Sequence, residues 1–313
     1  MDAAPVVVAV VVGAILLLLL WPRRHLFDLK DRVVVITGAA SGIGRGLAIA
    51  MAQKGAIVAC LDMDAGSLAT FAREHPRLSH TFVCDVSDHA RVVTCLTEVV
   101  AALGRDVDVL INNAGIVHGK PLLDLTHDQV QNIFGVNALA HFWTSQAVLP
   151  AMLARNNGMI VTMASIMGLN GSARLTDYCS SKFACVGFHE ALRMELQHLG
   201  KTGVHTLLVC PMAVDSGMFR GIFASDHWWP RFVHAYLIPM ITVDDVVATV
   251  IESIECKDYE LLTCARSWHR WVLPLVTRGV RLLPVALMDV ALGLGGGRDG
   301  MNNFQGRHGA AAT

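Results

Sequence analysis

Tyr178 and Lys182 stand four residues apart in "TDYCSSK", a spacing that puts both side chains on one face of a helix. Thirteen residues earlier, Ser165 closes the apolar run "MIVTMAS". A free phenol titrates at about 10, too high for a base at neutral pH, and a neighbouring ammonium favours the phenolate. With Ser165 holding a substrate oxygen, Tyr178 can exchange the proton of that oxygen while hydride passes to or from the carbon beside it. The spacing suits hydride transfer better than acyl transfer, because no G-x-S-x-G elbow is present to make Ser165 a hydrolase nucleophile.

Hydride chemistry needs a carrier. "ITGAASGIGRG" puts Gly38, Gly42 and Gly44 directly after the run "VVVIT" and at the start of a helical stretch. Glycines in such a turn let backbone approach a pyrophosphate, and the free N–H groups of the helix N-terminus favour an anion. Asp62 ends the next apolar run, eighteen residues past Gly44. A carboxylate there can accept hydrogen bonds from both ribose hydroxyls of an adenosine and repels a 2′-phosphate. NAD is therefore expected in preference to NADP, with Arg45 the cation that partly offsets that repulsion.

These residues need a scaffold that brings strand ends together. Val33 to Thr37, Ile57 to Asp62, "HTFVCD", "VDVLINN", "GMIVTMAS" and "VHTLLVCP" read as buried parallel strands. Amphipathic stretches such as Gly44 to Lys54 and Ala90 to Leu103 lie between them. The alternation implies right-handed βαβ units and an α/β fold with a doubly wound parallel sheet in a single domain.

"TGAASGIG", "NNAG" (Asn112 to Gly115), Asn137, Ser165 and "YCSSK" together resemble the short-chain dehydrogenase/reductase family over about residues 30 to 265. The resemblance implies a Rossmann-type fold and adds Asn137 to the catalytic set of Ser165, Tyr178 and Lys182, as the support of a water that relays protons to the lysine. It also implies that Ser41 and Ile43 join the glycine loop at the cofactor and that Asp85 and Val86 contact adenine. By the same likeness Asn112, Ala114 and Gly115 line the cleft, and Tyr178 and Lys182 belong to the cofactor-binding set as well as the catalytic one. Pro211, Val214 and Ser216 are expected at the nicotinamide. In "CPMAVDSGMF" the family's usual glycine and threonine are replaced by Met212 and Ser216. Ser216 can still donate to a carboxamide. "VNALAHFWTSQAVLPAML" and "YCSSKFACVGFHEAL" narrow the resemblance to a membrane-bound subgroup. That subgroup contains retinol dehydrogenases, epidermal retinol dehydrogenase and lipid-droplet 17-beta-hydroxysteroid dehydrogenases. It implies a retinol- or hydroxysteroid-like alcohol, a homodimer, and a place at the endoplasmic reticulum membrane or lipid droplet with the catalytic domain in the cytosol.

The apolar segments agree with that placement. Val6 to Trp21 is apolar without interruption and is followed by Arg23, Arg24 and His25. About 20 residues at about 1.5 Å each cover roughly 30 Å, one hydrocarbon core. The only charge before the run is Asp2, unlike a cleaved signal peptide, and the Arg pair is expected on the cytosolic side. Spanning a bilayer and inserting into a monolayer both fit. Residues 1–25 thus read as anchor and basic flank, and 26–265 as the NAD-binding domain with a lid at 214–241. Residues 266–294 read as an interfacial segment and 295–313 as a flexible, glycine-rich tail. The lid composition fits a greasy pocket wall or a loop packed on its own core. Arg266, Arg270, Arg278 and Arg281, interleaved with Trp268 and Trp271, fit a headgroup region or a dimer contact.

The bulk numbers exclude other classes. The 313 residues are 53% apolar and 16% charged, and a net charge of -1 gives no footprint for nucleic acid. Eight cysteines show no CxxC pair or metal-ligand spacing, and His118, His227 and His234 have no carboxylate or second ligand at a convincing spacing in the sequence. No metal is expected. The different-class alternative is a membrane scaffold that uses the same fold without turnover. A 3-ketoacyl or 3-ketosphinganine reductase would prefer NADPH, against Asp62.

Overall fold

The computed structural model describes residues 26–76, 78, 80–218, 240–258, 260–261, 276–294, 296–299, 301–302 and 304–305. In chain order the elements begin β1 (Val33–Thr37), α1 (Gly42–Gln53), β2 (Ile57–Asp62), α2 (Ala65–Glu74), β3 (Thr81–Val83) and α3 (His89–Leu103). They continue with β4 (Val109–Asn112), α4 (His127–Phe134), α5 (Ala140–Arg155), β5 (Gly158–Met163), α6 (Thr176–His198) and β6 (Val204–Val209). α7 (Val243–Cys256), β7 (Glu260–Leu261) and α8 (Val285–Leu294) follow. The six apolar runs of the sequence are the first six strands. β7 is two residues long, too short to leave a pattern.

All seven strands are parallel, in the order β3-β2-β1-β4-β5-β6-β7. Side chains alternate across a strand, so β1 feeds both faces of the sheet. Val34 and Ile36 pack with Leu47 and Met51 of α1 and Val246 and Val250 of α7. Val33 and Val35 pack with Val92 and Leu96 of α3, Met152 of α5 and Leu192 of α6. A strand buried on both faces must be apolar throughout, which is why these runs lack polar punctuation. β1 pairs with β2 on one side and β4 on the other, so the strand order reverses there and a crevice opens at the carboxyl ends.

Short polar signals end the helices where the crevice needs them. Asp88 caps α3 by accepting from the Arg91 N–H at 3.1 Å, and Gly104 closes it at φ 61°. Thr126 and Gln129 form a capping box at the start of α4. Between α4 and α5 the chain makes a π-helical turn over Gly135–Leu139, a distortion that often marks functional positions. Asn137 sits in that turn.

The sequence-expected anchor, Val6 to Trp21, lies outside the described residues. Among the described residues no helix is long and apolar enough to cross a membrane. The lid is described only at its ends, where Val214 bridges Ile241 and the Ile241 N–H donates to the Ala213 carbonyl at 3.0 Å. The 214–241 stretch therefore leaves and returns at one point. α8 begins directly after Pro284 and buries none of its residues. Arg281, which the sequence placed in a headgroup region or a dimer contact, is exposed and reaches back to the catalytic domain. It donates to the Leu169 carbonyl at 2.6 Å and stacks over the Phe183 ring.

Of the glycine-rich tail expected at 295–313, residues 296–299, 301–302 and 304–305 are described. The Gly297 carbonyl accepts from the Ala173 N–H at 2.7 Å and from the Ser172 hydroxyl at 3.2 Å. Met301 is buried among Ile133, Leu175, Tyr178 and Cys179. One apolar side chain with a place to go outweighs the composition around it.

Candidate active site

The crevice is about 610 Å³ in volume and runs from the glycine turn to the start of α6. Thr37, the last residue of β1, holds the two halves of the sheet together there. Its hydroxyl accepts from the Asn113 and Ala114 N–H groups at 2.9 and 3.0 Å. The Asn113 amide returns a bond to the Thr37 carbonyl at 2.9 Å. Gly38 takes a left-handed φ of 66°, and a Cβ on Gly44 would lie 2.2 Å from the Gly38 carbonyl oxygen. Only glycine lets the first turn of α1 come this close to the end of β1. The result is a backbone cradle at a helix N-terminus, lined by Gly38, Ser41, Gly42 and Ile43.

Asp62 stands beside this cradle. One carboxylate oxygen accepts from the Ala40 N–H at 3.0 Å and the other from the Asp64 N–H at 3.1 Å. The carboxylate is thus aimed by the backbone on both sides and still lines the crevice. Asp85 and Val86 line the same end, with Asp85 accepting from the Ser87 N–H and hydroxyl at 2.8 and 2.7 Å. Ala114 and Gly115 form the floor, and Pro211, Val214 and Ser216 the opposite wall. Met212, the sequence's departure from the family pattern, also lines the cleft.

At the far end Ser165, Tyr178 and Lys182 meet. Ser165 follows β5 and accepts from the Met167 N–H at 3.2 Å, which orients its hydroxyl. The Lys182 ammonium donates to the Met163 carbonyl at 2.9 Å and lies 5.8 Å from the Tyr178 ring centroid. Gly115 lies beside it, where a Cβ would sit 3.6 Å from Nζ, in ordinary van der Waals contact. Asn137, expected in the catalytic set, is fully buried behind the site and does not line the cleft. Its side chain accepts from the Ile116 N–H at 2.8 Å and donates to the Ile116 carbonyl and the Ser181 hydroxyl, each at 3.0 Å. The Asn137 carbonyl accepts from the Cys185 thiol at 2.8 Å.

The electrostatics differ from the sequence expectation. Burial is the largest influence on Tyr178 and pushes its phenol up, opposed by a hydrogen bond with Ser165. Burial likewise pulls Lys182 down. The ammonium is committed to a carbonyl and is itself desolvated, so its influence on the phenol is smaller than the four-residue spacing implies.

Of the cofactor residues expected from sequence, all but Asn112 and Gly44 line the crevice. Gly44 acts one step back, through its closeness to Gly38. Asn112 points into the fold, where its side-chain oxygen accepts from the Thr144 hydroxyl at 2.7 Å. Its neighbour Asn113 faces the crevice instead, because adjacent strand residues point to opposite sides. That alternation was the available signal. The sequence also gave His118 no partner, whereas Asp177 lies 2.7 Å away after 59 residues of chain.

An anion-binding turn at one end of a cleft and a buried phenol, ammonium and hydroxyl at the other are the layout of a nicotinamide-dependent oxidoreductase. Residues 32–227 match the family model described as short chain dehydrogenase, and the chain belongs to that family. It is 38% identical over 236 residues to human 17-beta-hydroxysteroid dehydrogenase 13, covering 74% of each chain. It is 41% identical over 224 residues to zebrafish (Danio rerio) retinol dehydrogenase 10-B, covering 64% of this chain and 66% of that one. Among solved structures it resembles a short chain dehydrogenase/reductase from Burkholderia phymatum in complex with NAD. That match has a TM-score of 0.68 and 25% identity, over 86% of this chain and 97% of the other. It also resembles a metagenomic short-chain oxidoreductase in complex with NADP, with a TM-score of 0.60 and 27% identity, over 76% of this chain and 98% of the other. The glycine cradle, with backbone where a Cβ would collide, fits a nicotinamide dinucleotide.

Proposed function

We propose that the protein transfers hydride between NAD(H) and the hydroxyl or carbonyl carbon of a lipophilic, retinol- or hydroxysteroid-like alcohol. The observation that carries this reading is the convergence of Ser165, Tyr178 and Lys182 at one end of a cleft whose other end presents the Asp62 carboxylate. When bound, the nicotinamide supplies or accepts the hydride. The chain's own residues do the rest. Ser165 donates to the substrate oxygen, and Tyr178 gives or takes its proton. Lys182, fastened to the Met163 carbonyl, keeps a positive charge near the phenol ring. Asn137 holds the Ile116 backbone and so keeps the loop after β4 against the site. Asp62 favours two free ribose hydroxyls over a 2′-phosphate.

The lipophilic substrate, membrane placement and dimeric state rest on sequence and on relatives. Val6 to Trp21 supplies the anchor, and the lid between Val214 and Ile241 is rich in Trp, Phe and Ile. Leu282, Val285 and Leu287 are exposed near the C-terminus, 87%, 69% and 56% respectively, as an interfacial segment requires. The names of the two relatives above bring retinol and 17-beta-hydroxysteroids to the front of the substrate list.

The test is NADH or NADPH fluorescence with membranes carrying the full chain, supplied with all-trans-retinol, estradiol or a long-chain alcohol. Turnover with NAD that disappears in Tyr178→Phe, while dinucleotide binding persists, is the expected result. No substrate-dependent turnover with either cofactor would sink the enzyme reading and favour the scaffold. Turnover with NADP alone would overturn the role given to Asp62.

A further inference from the structure

The loop after β4 passes beside Tyr178 and is fastened at several points. Asn137 holds both polar atoms of the Ile116 backbone. Two residues further on, His118 Nδ1 lies 2.7 Å from Asp177 Oδ2. Asp177 is in the first turn of α6, and its side chain is only 1% exposed against 16% for His118. Its other oxygen accepts the backbone N–H of Tyr178 at 2.8 Å. A carboxylate only accepts, so the proton between the two side chains belongs to His118 Nδ1. Leu175, the N-cap of α6, has no side-chain acceptor, which leaves Asp177 to hold the Tyr178 N–H.

The same loop is pressed from outside. Gly119 has a φ of 68°, and a Cβ there would lie 2.2 Å from the Phe304 ring. Met301, three residues before that ring, packs with Tyr178 itself. His118 therefore stands in a loop clamped between the C-terminal segment and the helix that carries the phenol.

We propose that His118 and Asp177 are a positioning pair for Tyr178. The imidazole orients the carboxylate, the carboxylate holds the N–H of Tyr178, and the loop at residues 116–119 is thereby coupled to the placement of the phenol. Neither side chain lines the cleft, so neither is catalytic in its own right. A buried carboxylate that lost the imidazole would recruit water or turn outward, and the first turn of α6 would loosen with it. The proposal rests on the oxidoreductase reading of the site, and its test separates the two.

His118→Asn, His118→Gln and His118→Phe are compared in the full chain. Asn places an N–H at the same number of bonds from Cβ as Nδ1, Gln places it one carbon further, and Phe keeps a ring without a donor. Amide hydrogen exchange over residues 175–182 reads the bond to Tyr178 directly, whether or not a substrate is found. Exchange there is expected to accelerate at least tenfold in His118→Phe and to stay near the parent rate in His118→Asn. With a turned-over substrate, kcat should fall about 10- to 100-fold in His118→Phe, as for a misplaced reacting group. His118→Asn should remain within about threefold of the parent, His118→Gln should lie between, and dinucleotide binding should be unchanged in all three. Unchanged exchange in His118→Phe, or equal impairment in His118→Asn and His118→Phe, overturns the pair. Absent turnover in the parent overturns the oxidoreductase reading alone, since the exchange measurement still decides the pair.

Discussion

Acid should destabilise this fold more steeply than its surface charges require, through two imidazoles. His141 on α5 and His189 on α6 are each about 2% exposed. Burial, with the nearby Lys182 and His189 charges, pushes His141 down to about 3. Burial and the Arg193 charge push His189 down to about 4. In the unfolded chain both return to about 6.5. Between those limits the unfolded state binds protons that the native state refuses. The stability is therefore present above pH 6.5 and lost as pH falls toward the folded values. Each imidazole contributes about 1.4 kcal/mol per pH unit once well below 6.5. Integrated from pH 6.5 to 4.5, each withdraws about 2 kcal/mol and the pair about 4, a large share of the roughly 5–15 kcal/mol that holds a domain folded. Urea midpoints at pH 6.5, 5.5 and 4.5, read by tryptophan fluorescence, measure the loss. His141→Gln and His189→Gln should each remove about 2 kcal/mol of the pH-dependent loss, half of the pair's share. Subtracting the parent's curve cancels the carboxylates, which titrate in both proteins. If either variant kept the full pH slope, that imidazole would have to be hydrated or paired in the native protein, and the reasoning would fail.

The remaining predictions concern the site. Because burial raises the Tyr178 phenol, the phenolate needed for alcohol oxidation is scarce at neutral pH. Oxidation kcat/KM should climb with pH through the alkaline range while carbonyl reduction, which draws on the protonated phenol, stays level, and initial rates that level off for oxidation below pH 8 would contradict this. Asp62→Ala should lower the NAD-over-NADP ratio of kcat/KM by about tenfold or more, equivalent to about 1.4 kcal/mol, and a ratio left unchanged would remove the carboxylate from cofactor choice. Gly119→Ala forces a side chain into a left-handed backbone position and against the Phe304 ring. It should cost about 1–3 kcal/mol in urea unfolding and raise the KM for the alcohol with dinucleotide affinity intact. A neutral effect on both would show that the ring yields freely.

The six apolar runs, the glycine turn after the first of them and the carboxylate at the end of the second were all legible in the sequence. They were legible because a parallel strand is buried on both faces and because a helix start packed so closely on a strand end that a Cβ on Gly44 would collide with the Gly38 carbonyl admits only glycine. Tyr178, Lys182 and Ser165 were legible for a similar reason, since helical spacing and a strand end place them without help from distant chain. The seventh strand was not, because two residues carry no period.

What tertiary structure alone decided is which neighbour faces the crevice, what each group's surroundings do to its charge, and which distant residues meet. Asn112 and Asn113 have the same side chain, and only the register of β4 against β1 and β5 turns the first inward and the second to the cleft. The Tyr178–Lys182 spacing reads as a lowered phenol until burial, which no spacing encodes, makes desolvation the larger influence. His118 has no partner in its own stretch of sequence, and Met301 sits in a glycine-rich polar stretch. The fold brings Asp177 to the first and a buried place beside Tyr178 to the second, because contacts between residues far apart in the chain exist only once the sheet and its helices have closed.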